Sequence, residues 1–392
     1  MKKKLLFVLP SLRSGGAEKS LVTLLRVLDE TKYDIDLFLF RREGLFLPLV
    51  PDYVHVLDGG TDYCMFDGSM KSAVLYFLRH GKLRKAISRI LYGRAQSLPA
   101  EKRIAKSWKY LSRVLPKLPN AYDASVGYLE GTATYFALRH VRAKKYFSFL
   151  HTDYDRIREQ TEMDAPFYAK LDKLIGVSDL CCERAENVFP FLRGRTLTIR
   201  NIISPELIGE MAEEAAELPH EADETVLLTV GRLSPPKGID IAVEACAALC
   251  ARGHAVKWYH IGIGELQGEI EEKIKALQMQ DRFILLGERS NPYSFMRLCD
   301  IYVQPSRFEG KSIAIDEAKC LAKPIVVTDF GTVRDQITDG VNGIVAQKTP
   351  ESIADAVELL LLSPEKREAL SAALRAEKVG NAEEAEKFCA LL

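Results

Sequence analysis

The sequence predicts an α/β protein of two domains, each built on a doubly wound parallel sheet. Its 392 residues correspond to about two domains, at roughly 100–200 residues per domain. Short, nearly continuous apolar runs alternate with longer amphipathic stretches along the whole chain. A strand that is apolar on both faces must be covered on both faces, so this alternation is typical of parallel sheets with helices on each side.

The apolar runs predicted as strands fall into two series. The first series lies at 5–10, 35–40, 54–57, 124–128, 146–150 and 174–177. The second lies at 226–230, 256–261, 283–286, 301–304 and 325–328. An acidic, helix-prone stretch from Glu206 to Glu224 separates the two series, and we interpret it as the linker region. The sequence therefore predicts a first domain at 1–200 and a second at 201–375, followed by a helix at about 376–392.

The first residues resemble a secretory signal only superficially. Lysines precede the apolar run Leu5–Leu9, but Pro10 and Arg13 follow where a small-residue cleavage site would come. We interpret this run as a buried strand that leads into a glycine loop. No stretch approaches the ~20 apolar residues of a membrane-spanning helix. The eight cysteines form no C-x-x-C pair, which favours the reduced thiols of the cytosol over disulfides or zinc.

Glu309 and Glu317 form the most informative motif, two carboxylates eight residues apart across the predicted start of a helix. Gly310 provides a flexible entry, and Ser312 is expected to cap the helix. If most of the interval is helical, the carboxylates lie about 12 Å apart along the axis, the span from a ribose to a sugar ring across a diphosphate. Free N–H groups at the helix N-terminus would face that diphosphate. The alternative is two solvated glutamates on a surface helix.

A basic loop lies upstream, between the predicted strand 226–230 and a predicted helix. It contains Gly231-Arg232 and Lys237-Gly238. The planar guanidinium of Arg232 and the compact charge of Lys237 both suit phosphate oxygens, although a basic loop exposed to water would look the same. After the next strand comes Gly262-x-Gly264, which is weak evidence alone.

In this order and spacing, these elements resemble the donor-binding half of retaining glycosyltransferases of family 4 (group 1), which have the GT-B architecture. The resemblance implies two Rossmann-like domains that face each other across a cleft, with the helix at about 376–392 returning to the first domain. The matching pieces are Gly231-Arg232-Leu233 with Lys237-Gly238, Gly262-x-Gly264, Ser306-x-x-Glu309-Gly310, the pair Glu309/Glu317, Gly15-Gly16-Ala17-Glu18 and Asn201.

The resemblance also implies roles for these residues. A nucleotide-diphosphate sugar, most often a UDP-sugar, would bind the second domain. Glu317 would accept hydrogen bonds from the ribose, Glu309 would hold the transferred sugar, and Arg232 and Lys237 would stabilise the departing diphosphate. Lys311-Ser312 replaces the family's frequent aromatic and small residues, so the sugar contacts there are expected to differ. The other predicted donor contacts are Gly15, Gly16, Asn201, Gly231, Gly262, Gly264, Gly310, Lys311 and Ser312.

His151 follows the strand 146–150, at the edge where α/β proteins bind ligands. The family has a comparable histidine that faces the donor sugar, so we predict a catalytic role; the alternative is a structural histidine. Asp153-Tyr154-Asp155 imitates the metal-binding D-x-D of another glycosyltransferase fold, but it lies in the acceptor half. Since Arg232, Lys237 and a helix N-terminus would neutralise the diphosphate, we predict no metal and no cofactor, with the nucleotide sugar as co-substrate.

The net charge of zero hides a strongly basic segment, Lys71 to Lys117, with thirteen Lys or Arg and one acid, Glu101. Interleaved apolar and aromatic residues, among them Leu75, Tyr76 and Trp108, suggest basic amphipathic helices. Such helices bind anionic membrane surfaces and can place Trp or Tyr at the interface. A solvated charged face is the alternative, and no nucleic-acid-binding motif accompanies the segment.

Together these features predict a metal-independent, retaining hexosyltransferase that transfers a sugar to a glycan or lipid-linked acceptor. We expect it to act in cell-surface polysaccharide or glycolipid synthesis, in the cytoplasm and peripheral to the inner face of the cell membrane. A nucleotide-sugar 2-epimerase of the same fold would share the donor site without needing a basic amphipathic surface. A non-catalytic sugar-binding protein would have no need of the donor residues, all of which are present here.

Overall fold

The computed structural model describes residues 2–13, 15–381 and 383–392. The chain divides into two compact units. The second unit runs from Ile203 to Asn381, and the residues before and after it form the first. Each unit is an α/β domain with one parallel sheet, as the sequence predicts.

The first unit contains a seven-stranded sheet. Up to Ile202 its elements are β1 (Lys3–Leu9), α1 (Gly16–Val27), β2 (Tyr33–Leu39), β3 (Val54–Asp58), α2 (Gly60–Asp67), α3 (Met70–Arg79), α4 (Leu83–Ala95), α5 (Ala100–Leu111), β4 (Ala121–Gly127), α6 (Thr132–Arg139), β5 (Arg142–Leu150), α7 (Thr161–Tyr168), β6 (Lys173–Gly176), α8 (Asp179–Val188) and β7 (Thr196–Thr198). The strand order is β3-β2-β1-β4-β5-β6-β7, and all pairs are parallel. Because the order reverses between β1 and β4, the carboxyl ends of these strands mark the place where such sheets bind ligands.

The second unit contains a six-stranded sheet. Its elements are α9 (Pro205–Ala212), β8 (Thr225–Val230), α10 (Ile239–Ala251), β9 (Val256–Ile261), α11 (Gln267–Ala276), β10 (Phe283–Gly287), α12 (Tyr293–Leu298), β11 (Ile301–Gln304), α13 (Ile313–Cys320), β12 (Ile325–Thr328), β13 (Ile344–Ala346), α14 (Pro350–Leu362) and α15 (Pro364–Ala376). The strand order is β10-β9-β8-β11-β12-β13, again all parallel. Here the order reverses between β8 and β11, the strands that lead into the Arg232 loop and the Glu309 motif.

The last helix, α16 (Glu383–Leu391), belongs to the first unit. Phe388 is completely buried. Its ring centroid lies 5.7 Å from that of Phe7 on β1 and 6.2 Å from that of Phe149 on β5. Residues 383–391 therefore complete a core whose other buried members lie between Leu5 and Ile202.

Every predicted strand is present, with its ends shifted by a few residues at most. The sequence reading missed β7 and β13, which have three residues each and are too short to show a pattern. The linker interpretation of 206–224 is wrong at its start, because α9 is a packed helix of the second unit. Ser204 caps it, accepting from the Leu207 N–H at 3.2 Å, and Ile208 and Met211 are buried.

The basic segment forms helices α3, α4 and α5, as predicted, but one assignment within it is wrong. Trp108 is only 4% exposed and packs edge-on against Tyr135, with ring centroids 5.3 Å apart. Helix α5 thus turns its aromatic side to the core, so Trp108 does not face a membrane interface. Within the described part of the chain, no helix is both long and apolar enough to cross a membrane.

Candidate functional site

The loops that follow β8 and β11 meet at the point where the strand order of the second sheet reverses. Lys237 ends a short 3-10 turn, and Gly238 follows it in the left-handed region, with φ +64°. A Cβ on Gly238 would lie 2.1 Å from the Pro305 carbonyl oxygen, so the two loops touch main chain to main chain. The Pro236 carbonyl accepts the Arg307 N–H at 2.7 Å, which fixes the two loops to each other.

Glu309 is the centre of this junction. Its Oε1 accepts from Lys237 Nζ at 2.6 Å, from Ser306 Oγ at 2.7 Å and from Gln304 Nε2 at 3.3 Å. Among the described residues none donates to Oε2, which leaves that oxygen for a ligand hydroxyl. Glu309 is 8% exposed and Glu317 2%, so the alternative of two solvated glutamates is wrong.

The helix between the two glutamates is shorter than expected. Because α13 starts at Ile313, Glu309 lies in the preceding loop. The predicted separation of about 12 Å between the two carboxylates assumed a mostly helical interval, so it does not apply. Ser312 occupies the N-cap position, but its side chain makes no capping bond. Its Oγ is buried and has no hydrogen-bond partner within the described chain. An unpaired buried hydroxyl at a helix N-terminus suits an anionic ligand.

Gln336, which the sequence reading missed, fixes the start of α13. Its Oε1 accepts the Ser312 N–H at 2.9 Å, and its Nε2 donates to the Ser312 carbonyl and to Asp316 Oδ1, both at 2.8 Å. The other oxygen of Asp316 lies 3.0 Å from Lys311 Nζ. The exposed Lys311 ammonium is therefore held beside the helix N-terminus by a buried amide that is distant in sequence.

Glu317 lies within α13, and its Oε1 accepts from the Tyr293 hydroxyl at 3.0 Å. Burial, reinforced by the Glu317 charge, raises the pKa of Tyr293 well above its usual value. The phenol consequently stays protonated and remains a donor to Glu317. No sequence signal marks Tyr293 as part of this arrangement.

Two of the predicted glycines are explained by packing of the loops themselves. Gly262 has φ +139°, and a Cβ there would lie 1.9 Å from the Gly231 carbonyl oxygen. A Cβ on Gly264 would lie 2.2 Å from the Leu233 carbonyl oxygen. The loops after β8 and β9 therefore cross in close main-chain contact, which only glycine permits. Gly310 differs, since a Cβ there would meet nothing within 4 Å.

Arg232 is exposed, and no ion pair or hydrogen bond of its guanidinium occurs within the described residues. Lys237, in contrast, is already paired with Glu309. The two cations predicted to act together on a diphosphate are thus in different states: one is free to move, and the other is held in place.

In the first unit, the predicted residues lie near the carboxyl ends of β1 and β5. Gly15 is the N-cap residue of α1 and Gly16 its first residue. Gly15 has extended backbone, with φ −161°, which any residue can adopt. Asn201 lies one residue before Ile202, where the first segment of this unit ends. Nothing in the geometry of these three residues tests their predicted contacts with a donor.

His151 follows β5, with its ring centroid 5.3 Å from that of Tyr128 and 6.0 Å from that of Phe149. Its main-chain N–H donates to Glu130 Oε2 at 3.1 Å. Burial lowers the pKa of His151 to about 4, against the opposing effect of the Glu130 charge. The imidazole is therefore neutral near pH 7. Its Nε2 is buried without a hydrogen-bond partner in the described chain, which is typical of a ligand-binding position or of local strain.

The D-x-D sequence is used internally. Asp153 accepts the Asp155 N–H at 3.0 Å, and Asp155 pairs with Arg158 at 2.7 Å. Tyr154 is buried and donates to Asp164 at 2.6 Å. Over the described residues, no three His, Cys, Asp or Glu side chains are grouped closely enough to hold a metal ion. Metal independence nevertheless stays a prediction.

Two doubly wound parallel sheets, each with polar residues where its strand order reverses, define the class of GT-B proteins. Residues 210–377 match the family described as glycosyl transferases group 1. The solved structure of Anabaena HepE in complex with UDP and glucose superposes with a TM-score of 0.65 at 18% identity, covering 99% of this chain and 98% of that one. The GT-B fold predicted from the sequence is thus confirmed.

Among curated relatives, the alpha-D-kanosaminyltransferase of Streptomyces kanamyceticus is 37% identical over 153 residues, 38% of this chain and 39% of that protein. A Campylobacter jejuni relative is 24% identical over 351 residues, 89% of this chain and 87% of that protein. It is named N-acetylgalactosamine-N,N'-diacetylbacillosaminyl-diphospho-undecaprenol 4-alpha-N-acetylgalactosaminyltransferase. The matched segment spans between 36% and 52% of the length of the first four curated relatives.

Proposed function

We propose that the protein is a retaining glycosyltransferase of family 4 that transfers a hexosyl group from a UDP-sugar to a glycan or lipid-linked acceptor. The reaction would serve polysaccharide or glycolipid synthesis and need no metal or other cofactor. The observation that carries the proposal is the junction of Lys237 with Glu309 where the second sheet reverses, beside the unpartnered hydroxyl of Ser312. A lysine paired with a buried carboxylate next to a helix N-terminus suits a sugar diphosphate.

Charge development on the leaving diphosphate is the main electrostatic demand of such a transfer. Lys237 is held in place by Glu309, and Arg232 is free to reach phosphate oxygens. Ser312 and the first N–H groups of α13 add neutral donors, since a first helical turn has N–H groups without intrahelical partners. These groups together replace the charge that a divalent cation would supply.

The retaining outcome is proposed from the state of Glu309. Because Oε1 already accepts from three protein donors, this carboxylate is better suited to hold a sugar hydroxyl through Oε2 than to attack the sugar carbon. Attack by the acceptor on the face that the leaving phosphate vacates is then the simplest route. The neutral His151 would contribute a hydrogen bond to a hydroxyl and carry no charge.

The uridine base and the acceptor class are supported by the relatives. The HepE structure contains UDP and glucose, and the name of the Campylobacter jejuni relative includes a diphospho-undecaprenol acceptor. A lipid-linked acceptor places the reaction at a membrane surface, and the unpaired cations of residues 71–117 would attract anionic lipid there. We propose a peripheral position at the inner face of the cell membrane.

A panel of nucleotide sugars tests the proposal. The purified protein should release UDP slowly from one UDP-sugar, with EDTA present, and should bind free UDP by calorimetry. Glu317→Gln should weaken UDP binding about tenfold, since a carboxylate accepts ribose hydroxyls more strongly than an amide. Glu309→Gln should preserve UDP affinity and reduce hydrolysis.

Three outcomes contradict the proposal. Conversion of a UDP-sugar to its 2-epimer without acceptor would indicate an epimerase. Binding of UDP without any turnover would indicate a sugar-binding protein. NMR would refute retention if it showed that the released sugar has the inverted anomeric configuration.

A further inference from the structure

The hairpin of α3 and α4 carries an unusual concentration of exposed aliphatic side chains. Four of them flank its turn: Leu75 is 49% exposed, Leu78 51%, Leu83 59% and Ile87 46%. The turn itself consists of His80, Gly81 and Lys82, and Gly81 has φ +65°. We call these four side chains the hairpin tip. Large apolar side chains grouped on a surface usually mark an interaction site.

The other side of the hairpin is fixed to the first unit. Ala73 and Phe77 of α3 and Ala86 of α4 are buried in one apolar cluster with Phe66 and Val114. The hairpin tip is therefore not a loosely packed core face. Helices α3 and α4 already bury one apolar side, and the exposed side chains of the tip are not part of that buried side.

The segment that contains the tip is rich in cations, and few of them are neutralised. Asp62 pairs with Lys82 and Lys85, both at 2.6 Å, and so compensates only these two. Arg89 donates to the Gly68 carbonyl at 2.8 Å. The other ten cations of the segment are exposed and form no ion pair with any described residue; they are Lys71, Arg79, Arg84, Arg94, Lys102, Arg103, Lys106, Lys109, Arg113 and Lys117.

We propose that the hairpin tip inserts into the acyl region of an anionic membrane, while the ten exposed cations contact its headgroups. Charge complementarity selects this partner, because a segment with exposed aliphatic side chains and uncompensated cations matches the lipid interface. A second copy of this chain would bring the same cations together and be repelled. The inference rests on the proposed membrane position, and not on any step of sugar transfer.

A vesicle experiment with the full chain separates apolar insertion of the tip from electrostatic contact of the cations. Vesicles of phosphatidylcholine with one quarter phosphatidylglycerol are mixed with protein at 0.1 and 1 M NaCl and floated. Replacing all four tip residues with Ser should lower the partition coefficient more than about tenfold and abolish the part that survives 1 M salt. Lys102→Gln with Lys106→Gln on α5 should weaken binding at 0.1 M salt and leave the salt-resistant part unchanged.

Matched controls are available in the same unit. Leu180 is 48% exposed, on α8 away from the basic segment. Leu180→Ser should leave vesicle binding unchanged. Since Trp108 and Trp258 are buried, a Leu83→Trp variant adds an exposed fluorophore, which brominated phosphatidylcholine should quench, whereas Leu180→Trp should not be quenched.

The results that overturn the inference differ from those that refute transfer. Equal binding of the four-Ser variant and the parent protein would exclude insertion, even if UDP turnover is normal. If the parent protein sediments as a dimer and the four-Ser variant as a monomer, with no change on vesicles, the tip joins two copies. Normal vesicle binding without UDP turnover would refute the proposed function and leave the inference standing.

Discussion

At the carboxyl edge of the second sheet, charged side chains occur in opposed pairs, whereas at the same edge of the first sheet the uncharged imidazole of His151 is buried against aromatic rings. Lys237 pairs with Glu309 at 2.6 Å, and Lys311 with Asp316 at 3.0 Å. In the first unit, the uncharged His151 lies against Tyr128, whose hydroxyl is 2.9 Å from Ser20 Oγ. The same α/β framework therefore carries paired charges at one edge and a buried, neutral imidazole at the other.

Lys237→Ala gives the largest expected effect, because it breaks the charged pair on which the second edge depends. We expect kcat to fall about 100-fold through loss of charge stabilisation. The free energy of unfolding should fall by about 1–3 kcal/mol, since Glu309 stays buried without its cation. Steady-state kinetics and urea unfolding measure the two effects.

Arg232→Ala is the matched comparison for Lys237→Ala. It should lower kcat without changing the free energy of unfolding, because the exposed Arg232 guanidinium forms no ion pair or hydrogen bond with a described residue. Equal losses of stability in the two variants, or unchanged kcat in both, would contradict the assignment of paired and free cations.

The next prediction concerns the uncharged state of the His151 imidazole. His151→Ala should lower the rate of transfer about tenfold through loss of one hydrogen bond, with the donor KM nearly unchanged. The pKa of about 4 for His151 predicts an NMR titration near that value and no activity change from this group between pH 5.5 and 8. An imidazole that titrates near 6.5 would reverse the interpretation.

The same pKa has a consequence for stability. A free histidine titrates near 6.5, so as the pH falls below that value the unfolded chain takes up a proton before the native protein does. His151 should therefore reduce stability progressively between pH 6.5 and about 4. The slope of the free energy of unfolding with pH should be shallower in His151→Ala over this range.

Gln336→Leu gives the smallest expected effect. It tests whether a neutral side chain positions the charged groups at the carboxyl edge of the second sheet. Losing its amide leaves the Ser312 N–H and one Asp316 oxygen unpaired, which should cost about 1–2 kcal/mol of stability. The donor KM should rise roughly fivefold, with a smaller change in kcat. Gln280→Leu, at an exposed position of the same unit, is the control.

A purely structural role for Gln336 would lower stability without moving KM. The double variant of Gln336→Leu with Lys311→Met separates the two possibilities. If the residues act through one network, their effects on KM should be less than additive. Additive effects on KM would contradict a positioning role.

The strands and the glycine loops were predictable because their signals are local. An apolar run such as 301–304 shows its burial within four residues, and Gly238 and Gly262 follow strands at positions where a turn is needed. Pairing of Lys237 with Glu309 was not predictable, because it depends on loops 72 residues apart that cross at the sheet edge. The same holds for Gln336, which acts on Ser312 from 24 residues away.

Trp108 shows a different limit of sequence reasoning. A basic helix with one aromatic side can turn that side to a membrane or to its own core, and the pattern is the same in both cases. In the structure, Trp108 faces the core, where it packs against Tyr135 and Phe167. Leu78 and Leu83, which no motif marks, are exposed because they flank a turn between helices that are already packed.

Helix α16 imposes an order on biosynthesis. Phe388 fills a position between β1 and β5, yet the ribosome makes it only after it has made the whole second unit. The core of the first unit therefore stays incomplete while the second unit is being synthesised. For a chain with an apolar interior next to a basic surface, this interval is when chaperones or a membrane have access to residues that the finished protein conceals.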